Sequence, residues 1–138
     1  MRRRSLKIIK KENGASAVEF AIILPILVIL VFGIFEFGIA YNNWIALTHA
    51  AREGARIAAV GFIDENGLNA FNARVRDSAP SVEIQSINVE GWDGIIGDPV
   101  TVTVTGSVLD IEIPFVGSWP VQLSSKAILR LEQHLQLP

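Results

Sequence analysis

The chain has 138 residues, half of them apolar and 19% charged, a net charge of −2 and no cysteine. That length suits one small domain with an appendage. The missing cysteines exclude disulfides, thiolate nucleophiles and cysteine metal sites.

The charge is unevenly placed. Residues 1–14 carry Arg2, Arg3, Arg4, Lys7, Lys10 and Lys11 against Glu12 alone, a net +5 that leaves −7 for the remainder. Directly after this basic leader comes an apolar run. No residue of 20–35 is charged, and residues 15–41 hold only Glu19 and Glu36. As a helix rising 1.5 Å per residue, residues 15–41 reach roughly 40 Å, enough to cross a hydrocarbon core about 30 Å thick. Basic residues beside a span stay in the cytoplasm, so the charge bias predicts a cytoplasmic N-terminus and a translocated C-terminal part. With no second basic patch, the leader reads as a topology signal and no nucleic-acid partner is expected.

The helix is expected to outlast the membrane. Tyr41 and Trp44 stand where an interfacial aromatic belt would lie. Ile45, Leu47, Ala51, Ala55, Ala58 and Ala59 continue at helical spacing, with Arg52, Glu53 and Arg56 among them and Gly61 as the stop. One helix over residues 15–60 is predicted, half in lipid and half in water. A kink is expected at Pro25, which lacks the N–H that would bond to the Ala21 carbonyl.

Residues 64–67 read as a turn. Leu68, Phe71 and Val75 then predict a short amphipathic helix ending near Pro80. Val82, Ile84, Ile87 and Val89 suggest a first strand, and residues 91–99 a turn-rich loop. Val100, Val102 and Val104 alternate with Thr101, Thr103 and Thr105, the clearest strand in the chain. Residues 111–120, with Pro114 and Pro120, read as a connection, and Val121, Leu123, Ser125, Ala127, Leu129 and Leu131 as a last strand. The expected fold class is α+β, a long N-terminal helix packed on a small antiparallel sheet. The predicted divisions are a leader (1–14), a transmembrane helix (15–41), its exposed continuation (42–61) and a small extracytoplasmic α+β domain (62–138). So small a domain needs extra apolar surface, which the outer half of the long helix would supply.

The segment that carries chemistry is the junction Gly14-Ala15-Ser16-Ala17-Val18-Glu19-Phe20. In a secretory signal the cleavage site follows the apolar stretch; here a small-residue site precedes it. Cleavage between Gly14 and Ala15 would remove the leader and retain the apolar helix. Glu19 would then be the fifth residue. A carboxylate in a span is unfavourable by about 2.5–3.5 kcal/mol at the centre and by less near the ends. The new α-amino group of Ala15 would offset it, in the same helix or in a neighbour, where it would set the axial register of packed helices. The plainer alternative is that Glu19 snorkels to the cytoplasmic interface.

The stretch 14–21, then Leu24-Pro25, Gly33-Ile34-Phe35-Glu36-Phe37-Gly38 and Ala50-Ala51-Arg52-Glu53-Gly54-Ala55-Arg56, resembles the TadE-like pseudopilins of the tight-adherence (Tad/Flp) pilus system. The resemblance is specific over residues 14–59 and weaker beyond. It implies a minor pilin-like protein of the bacterial inner membrane, cut by a prepilin peptidase after Gly14, that builds or primes an adhesive pilus. Its implied partners are the membrane, other pilin-like subunits, the peptidase and an assembly platform with its ATPase. The residues implied in assembly are Glu19, Phe20, Pro25, Glu36, Arg52, Glu53 and Arg56. Two other readings are a pilin-like minor component of a secretion machine and a membrane-anchored binding module that never polymerises.

The remaining polar residues have bland readings. Glu36 is an interfacial carboxylate or a contact for Arg52 or Arg56 of another subunit. Arg52 and Arg56 repel one another at i, i+4 and form either a solvated face or a patch relieved by an acidic partner. His49 and His134, the two histidines, lack further ligands at metal spacing. Asp93, Asp98 and Asp110 do not match a calcium loop, and no serine sits in a nucleophile elbow. No enzyme, cofactor or metal is expected.

Overall fold

The structure, a computed structural model, describes residues 12–61 and 67–132. The basic side chains of the leader, the turn expected at residues 64–67 except Gly67, and His134 lie outside the described residues.

The dominant element is α1, Glu12–Ala59, 48 residues and so about 72 Å long. It begins three residues before Ala15 and is continuous through Pro25. Its inner part is bare. Most large apolar side chains from Val18 to Phe37, such as Phe20, Ile26 and Phe35, stand exposed, while Val28 and Ile29 are half-buried. It is one helix long and apolar enough to cross a membrane. An aromatic ladder closes the apolar part: Phe37 stacks on Tyr41 (centroids 6.2 Å apart), and Tyr41 tilts onto Trp44 (5.8 Å). At the far end Gly61 adopts φ 74° and its N–H donates to the Ala58 carbonyl (3.2 Å). A left-handed residue suits glycine there and ends the helix. The Glu132 N–H donates to the Ala59 carbonyl (2.8 Å), so a residue distant in the chain satisfies a helix-end acceptor.

Helix α2, Gly67–Asp77, buries Phe71 and Val75 completely. Leu68, expected on the same face, stays 40% exposed in its first turn. The helix ends where Ser78 and Ala79 donate their N–H groups to the Arg74 and Arg76 carbonyls, just before Pro80. Arg76 also reaches the Ile84 carbonyl and ties α2 to the sheet.

Three antiparallel strands follow: β1 Ile84–Glu90, β2 Pro99–Ile113 and β3 Gly117–Arg130, in the order β1-β2-β3. The fold is thus α+β, a long N-terminal helix on a small antiparallel sheet, as the sequence predicts. The core joins Leu47, Ala50, Ala51, Ala55, Ile57 and Ala58 of α1 to Phe71, Val75, Ala79, Ile84, Val100, Val102, Val104 and Leu131. Val82 lies outside β1, packed against the edge of this core.

Residues 111–120 correct the sequence reading. They are a tight hairpin, with β2 running to Ile113 and β3 starting at Gly117, so only 114–116 form the turn. A β-bulge hid it. Thr105 pairs with Ser124 but Val108 pairs with Gln122, so β2 carries one extra residue at Gly106–Ser107. Up to Gly106 the even positions of β2 are buried; beyond it the odd positions Leu109, Ile111 and Ile113 are the better covered. A bulge reverses which side chains face inward, so an alternating pattern seems to stop where the strand in fact continues. A second irregularity between Ile84 and Ser86 does the same in β1, which puts Ile84, Ile87 and Val89 against the core despite their odd spacing. Pro120 fits because β3 is an edge strand, where a missing N–H leaves no ladder bond unmade if it points away from β2.

Strand β3 runs back along α1. The Glu132 bond to Ala59 marks one point. The Ser125 hydroxyl lies 3.0 Å from the Thr48 hydroxyl, which donates to the Trp44 carbonyl (2.8 Å). Gly117 and Ser118 share a cleft with Phe32 and Glu36. From Ala59 to Phe32 is 27 residues of helix, so the hairpin follows α1 for about 40 Å.

Candidate functional site

The residues singled out in the sequence fall at three levels along α1. Glu19 and Glu36 are 17 residues, about 25 Å, apart, and Arg52 lies a further 24 Å or so beyond. One chain cannot bring them together, because a helix holds them at fixed separations.

At the inner level, Gly14, Ala15, Glu19, Phe20 and Pro25 all lie exposed on the bare part of α1. A side chain placed at Gly14 would meet nothing within 4 Å. No ion pair reaches Glu19 among the described residues.

At the middle level, Glu36 is half-buried in a cleft with Phe32, Glu112, Ile113, Pro114, Gly117 and Ser118. Glu112 joins it from β2. The sequence reading did not foresee this, since it placed Glu112 in a loop.

At the outer level, α1 and α2 form an open cleft of about 630 Å³. His49, Arg52, Glu53 and Arg56 line it from α1, and Arg74, Asp77 and Ser78 from the end of α2. Arg56 is bidentate to Glu53: Nη2–Oε1 is 2.7 Å and Nε–Oε2 is 3.0 Å. This hydrogen bond outweighs the opposing effect of burial and, with the charges of Arg56 and Arg74, holds the Glu53 carboxyl below its usual range; the same bond holds Arg56 above its own. The acidic partner that relieves the Arg52–Arg56 repulsion is therefore one turn away on the same helix. A carboxyl with a lowered value stays ionised at neutral pH, so the pair is lost only as acid protonates Glu53 below the ordinary carboxylate range.

Arg74 and Asp77 were missed in the sequence. The available signal was their position on α2: Arg74, Asp77 and Ser78 are spaced i, i+3 and i+4, away from the apolar pair Phe71 and Val75.

The spacing of Ala50-Ala51-Arg52-Glu53-Gly54-Ala55-Arg56 now has a physical reason. Ala50, Ala51, Gly54 and Ala55 are buried, and Arg52 and Arg56 face out. A Cβ on Gly54 would stand 3.0 Å from Val102 Cγ1 and 3.1 Å from Val75 Cγ2. Small residues on this side let α2 and β2 approach α1 together.

Among the described residues no group of three or more histidines and carboxylates could hold a metal ion. Among the described residues, the polar side chains of the outer cleft offer ionic and hydrogen-bonding groups.

Residues 14–56 match the family model described as TadE-like protein. The match covers the bare helix, the aromatic ladder and the small-residue motif up to Arg56. Comparison with curated proteins and with solved structures gave no significant match.

Proposed function

We propose that the protein is a minor pseudopilin, a structural or priming component in assembly of a tight-adherence pilus. In this reading residues 1–14 are a cytoplasmic leader removed by a prepilin peptidase. Residues 15–41 span the inner membrane, residues 42–61 continue the helix outside it, and residues 62–138 form the extracytoplasmic part. Other pilin-like subunits, an assembly platform and its ATPase are the partners. The observation that carries the reading is the junction at Gly14: an exposed glycine between a basic leader and a bare apolar helix, with Glu19 five residues into the chain that cleavage would leave. The family match over residues 14–56 supports it.

Intact mass of the membrane-purified protein tests the processing step. The mature chain is expected to begin at Ala15, without the leader's six basic side chains. Gly14→Trp is expected to leave the leader attached, because a peptidase pocket that accepts a bare glycine has no room for an indole. A mature start beyond the apolar run would mean a conventional secretory signal instead.

Glu19 tests assembly. Removing one partner of a half-buried opposite-charge pair is felt where the pair forms and not in a remote domain. Glu19→Gln is expected to leave membrane insertion and the thermal melt of the outer part unchanged, while co-purification with pilin-like subunits and piliation fall together. Normal pili with this variant would leave Glu19 with no role beyond reaching the interface.

A further inference from the structure

We propose that the tip of the β2–β3 hairpin is seated in the outer leaflet of the bilayer, as a second membrane contact beside α1. This rests on the reading of α1 as a membrane span and adds a lipid-contacting element outside the helix.

The tip carries apolar surface that no described residue covers. Phe115 is 84% exposed and Val116 52%. Phe115 also holds φ 68°, a left-handed conformation that bulky residues rarely adopt.

Its position identifies the occupant. The tip is folded back against α1, where Ile113, Pro114 and Gly117 share a cleft with Phe32 and Glu36. Phe32 is 45% exposed and belongs to the apolar part of α1, with Val31, Ile34 and Phe35 exposed beside it. Glu112 of the hairpin lines this cleft with Glu36 of the helix, so two carboxylates from unrelated elements stand at one level. Both need water or headgroups, and they mark one boundary. Counting 20 residues inward from Glu36 crosses about 30 Å and ends near Ser16, so Glu36 falls at the outer edge of the hydrocarbon. Phe32 and the tip lie on the lipid side of it. On the water side, Trp119 is 46% exposed and stands one residue, about 3 Å, beyond Ser118, which pairs with Glu112 at the boundary. Tyr41 is five helical residues, about 7.5 Å, beyond Glu36. Trp119 thus extends the aromatic ladder of α1 at interfacial depth, where indoles collect.

Because the chain has no cysteine, single-cysteine variants test this directly. Phe115→Cys, Leu27→Cys and Ile95→Cys of the full chain are labelled with a small environment-sensitive fluorophore. They are reconstituted into phosphatidylcholine vesicles at no more than one chain per vesicle, so that neighbouring subunits are absent. Leu27 reports the span; Ile95, exposed in the loop between β1 and β2, reports water. The expected result is that nitroxide-bearing lipids quench the labels at positions 27 and 115 and aqueous iodide spares both, with the reverse at position 95. A label at 115 that iodide quenches, with 27 still lipid-quenched, overturns the hairpin proposal and leaves the span standing. A label at 115 shielded from both quenchers overturns it too and means that protein covers the tip. Iodide quenching at 27 would overturn the membrane reading itself, and this proposal with it.

Discussion

A fragment comprising residues 62–138 is expected to be unfolded, whereas one comprising residues 42–138 melts cooperatively. The sheet and α2 hold only half of the core; Leu47, Ala50, Ala51, Ala55, Ile57 and Ala58 come from α1. Without them Phe71, Val75, Val100, Val102 and Val104, each fully buried in the whole chain, would face water. Truncating a buried leucine or isoleucine to alanine removes about 2–5 kcal/mol, and Leu47 and Ile57 are two such side chains. A domain of this size has about 4–11 kcal/mol of stability in all. Losing both, with four packed alanines and the helix they sit on, exceeds that margin. Far-UV circular dichroism and amide chemical-shift dispersion of the two fragments decide the matter. A sharp thermal transition in the 62–138 fragment would show that α1 is only an attached anchor. The experiment also sets the boundary of the folding unit, which runs through the long helix and not after it.

Gly54→Leu is expected to destabilise the outer part of the protein by about 3 kcal/mol or more, at or above the upper end of ordinary overpacking. The first added atom alone would stand 3.0 Å from Val102 Cγ1, 3.1 Å from Val75 Cγ2 and 3.5 Å from Phe71 Cζ, before the remaining three carbons are placed. Three elements meet here, so α2, β2 or α1 must shift. Gly54→Ala separates the opposing effects. Alanine gains about 1 kcal/mol of helix propensity over glycine, while its methyl needs its neighbours to move by a few tenths of an ångström. Its net effect is expected to be small, and Val75→Ala, which removes one of the two opposing methyls, should turn the Gly54→Ala effect more favourable. For a folding unit near 100 residues, about 3 kcal/mol lowers the melting midpoint by at least 12 °C or so, which a thermal scan of residues 42–138 resolves. A midpoint unchanged by Gly54→Leu would mean that α2 does not pack on α1 at this point.

The two variants bear on the matched family segment in different ways. Glu19 and Gly14 lie exposed on the helix, where a change is expected to act on the proposed partners and not on the fold. Gly54 lies under α2, where a change affects the fold. One matched segment thus holds residues of both kinds, and burial separates them.

Much of this architecture was legible in the chain. The apolar run, the basic leader, the stop at Gly61 and the Val100–Val104 alternation are local patterns, each readable within a short window because helix and strand periodicities repeat there. The pattern failed at the bulges. At Gly106–Ser107 the inward side of β2 changes parity, so Leu109, Ile111 and Ile113 fall out of phase with Val100, Val102 and Val104. Two prolines nearby then favoured a loop. Leu68 misled in the opposite sense: its spacing matched Phe71 and Val75, but it stands in the first turn of α2 and stays 40% exposed.

By itself the sequence determined which stretches could enter a membrane, where the long helix ends and which residues meet at the junction near Gly14, since charge, hydropathy and backbone preference act over a few neighbouring residues. Only the tertiary structure decided that β2 and β3 form one long hairpin, that its tip returns to Phe32 and Glu36, that Arg74 and Asp77 line an open cleft with Arg52 and Arg56, and that Gly54 lies where a side chain would meet Val75 and Val102. Those features depend on register between residues far apart in the chain. Register is set by how bulges, small side chains and packed surfaces fit one another, and no local pattern carries that information.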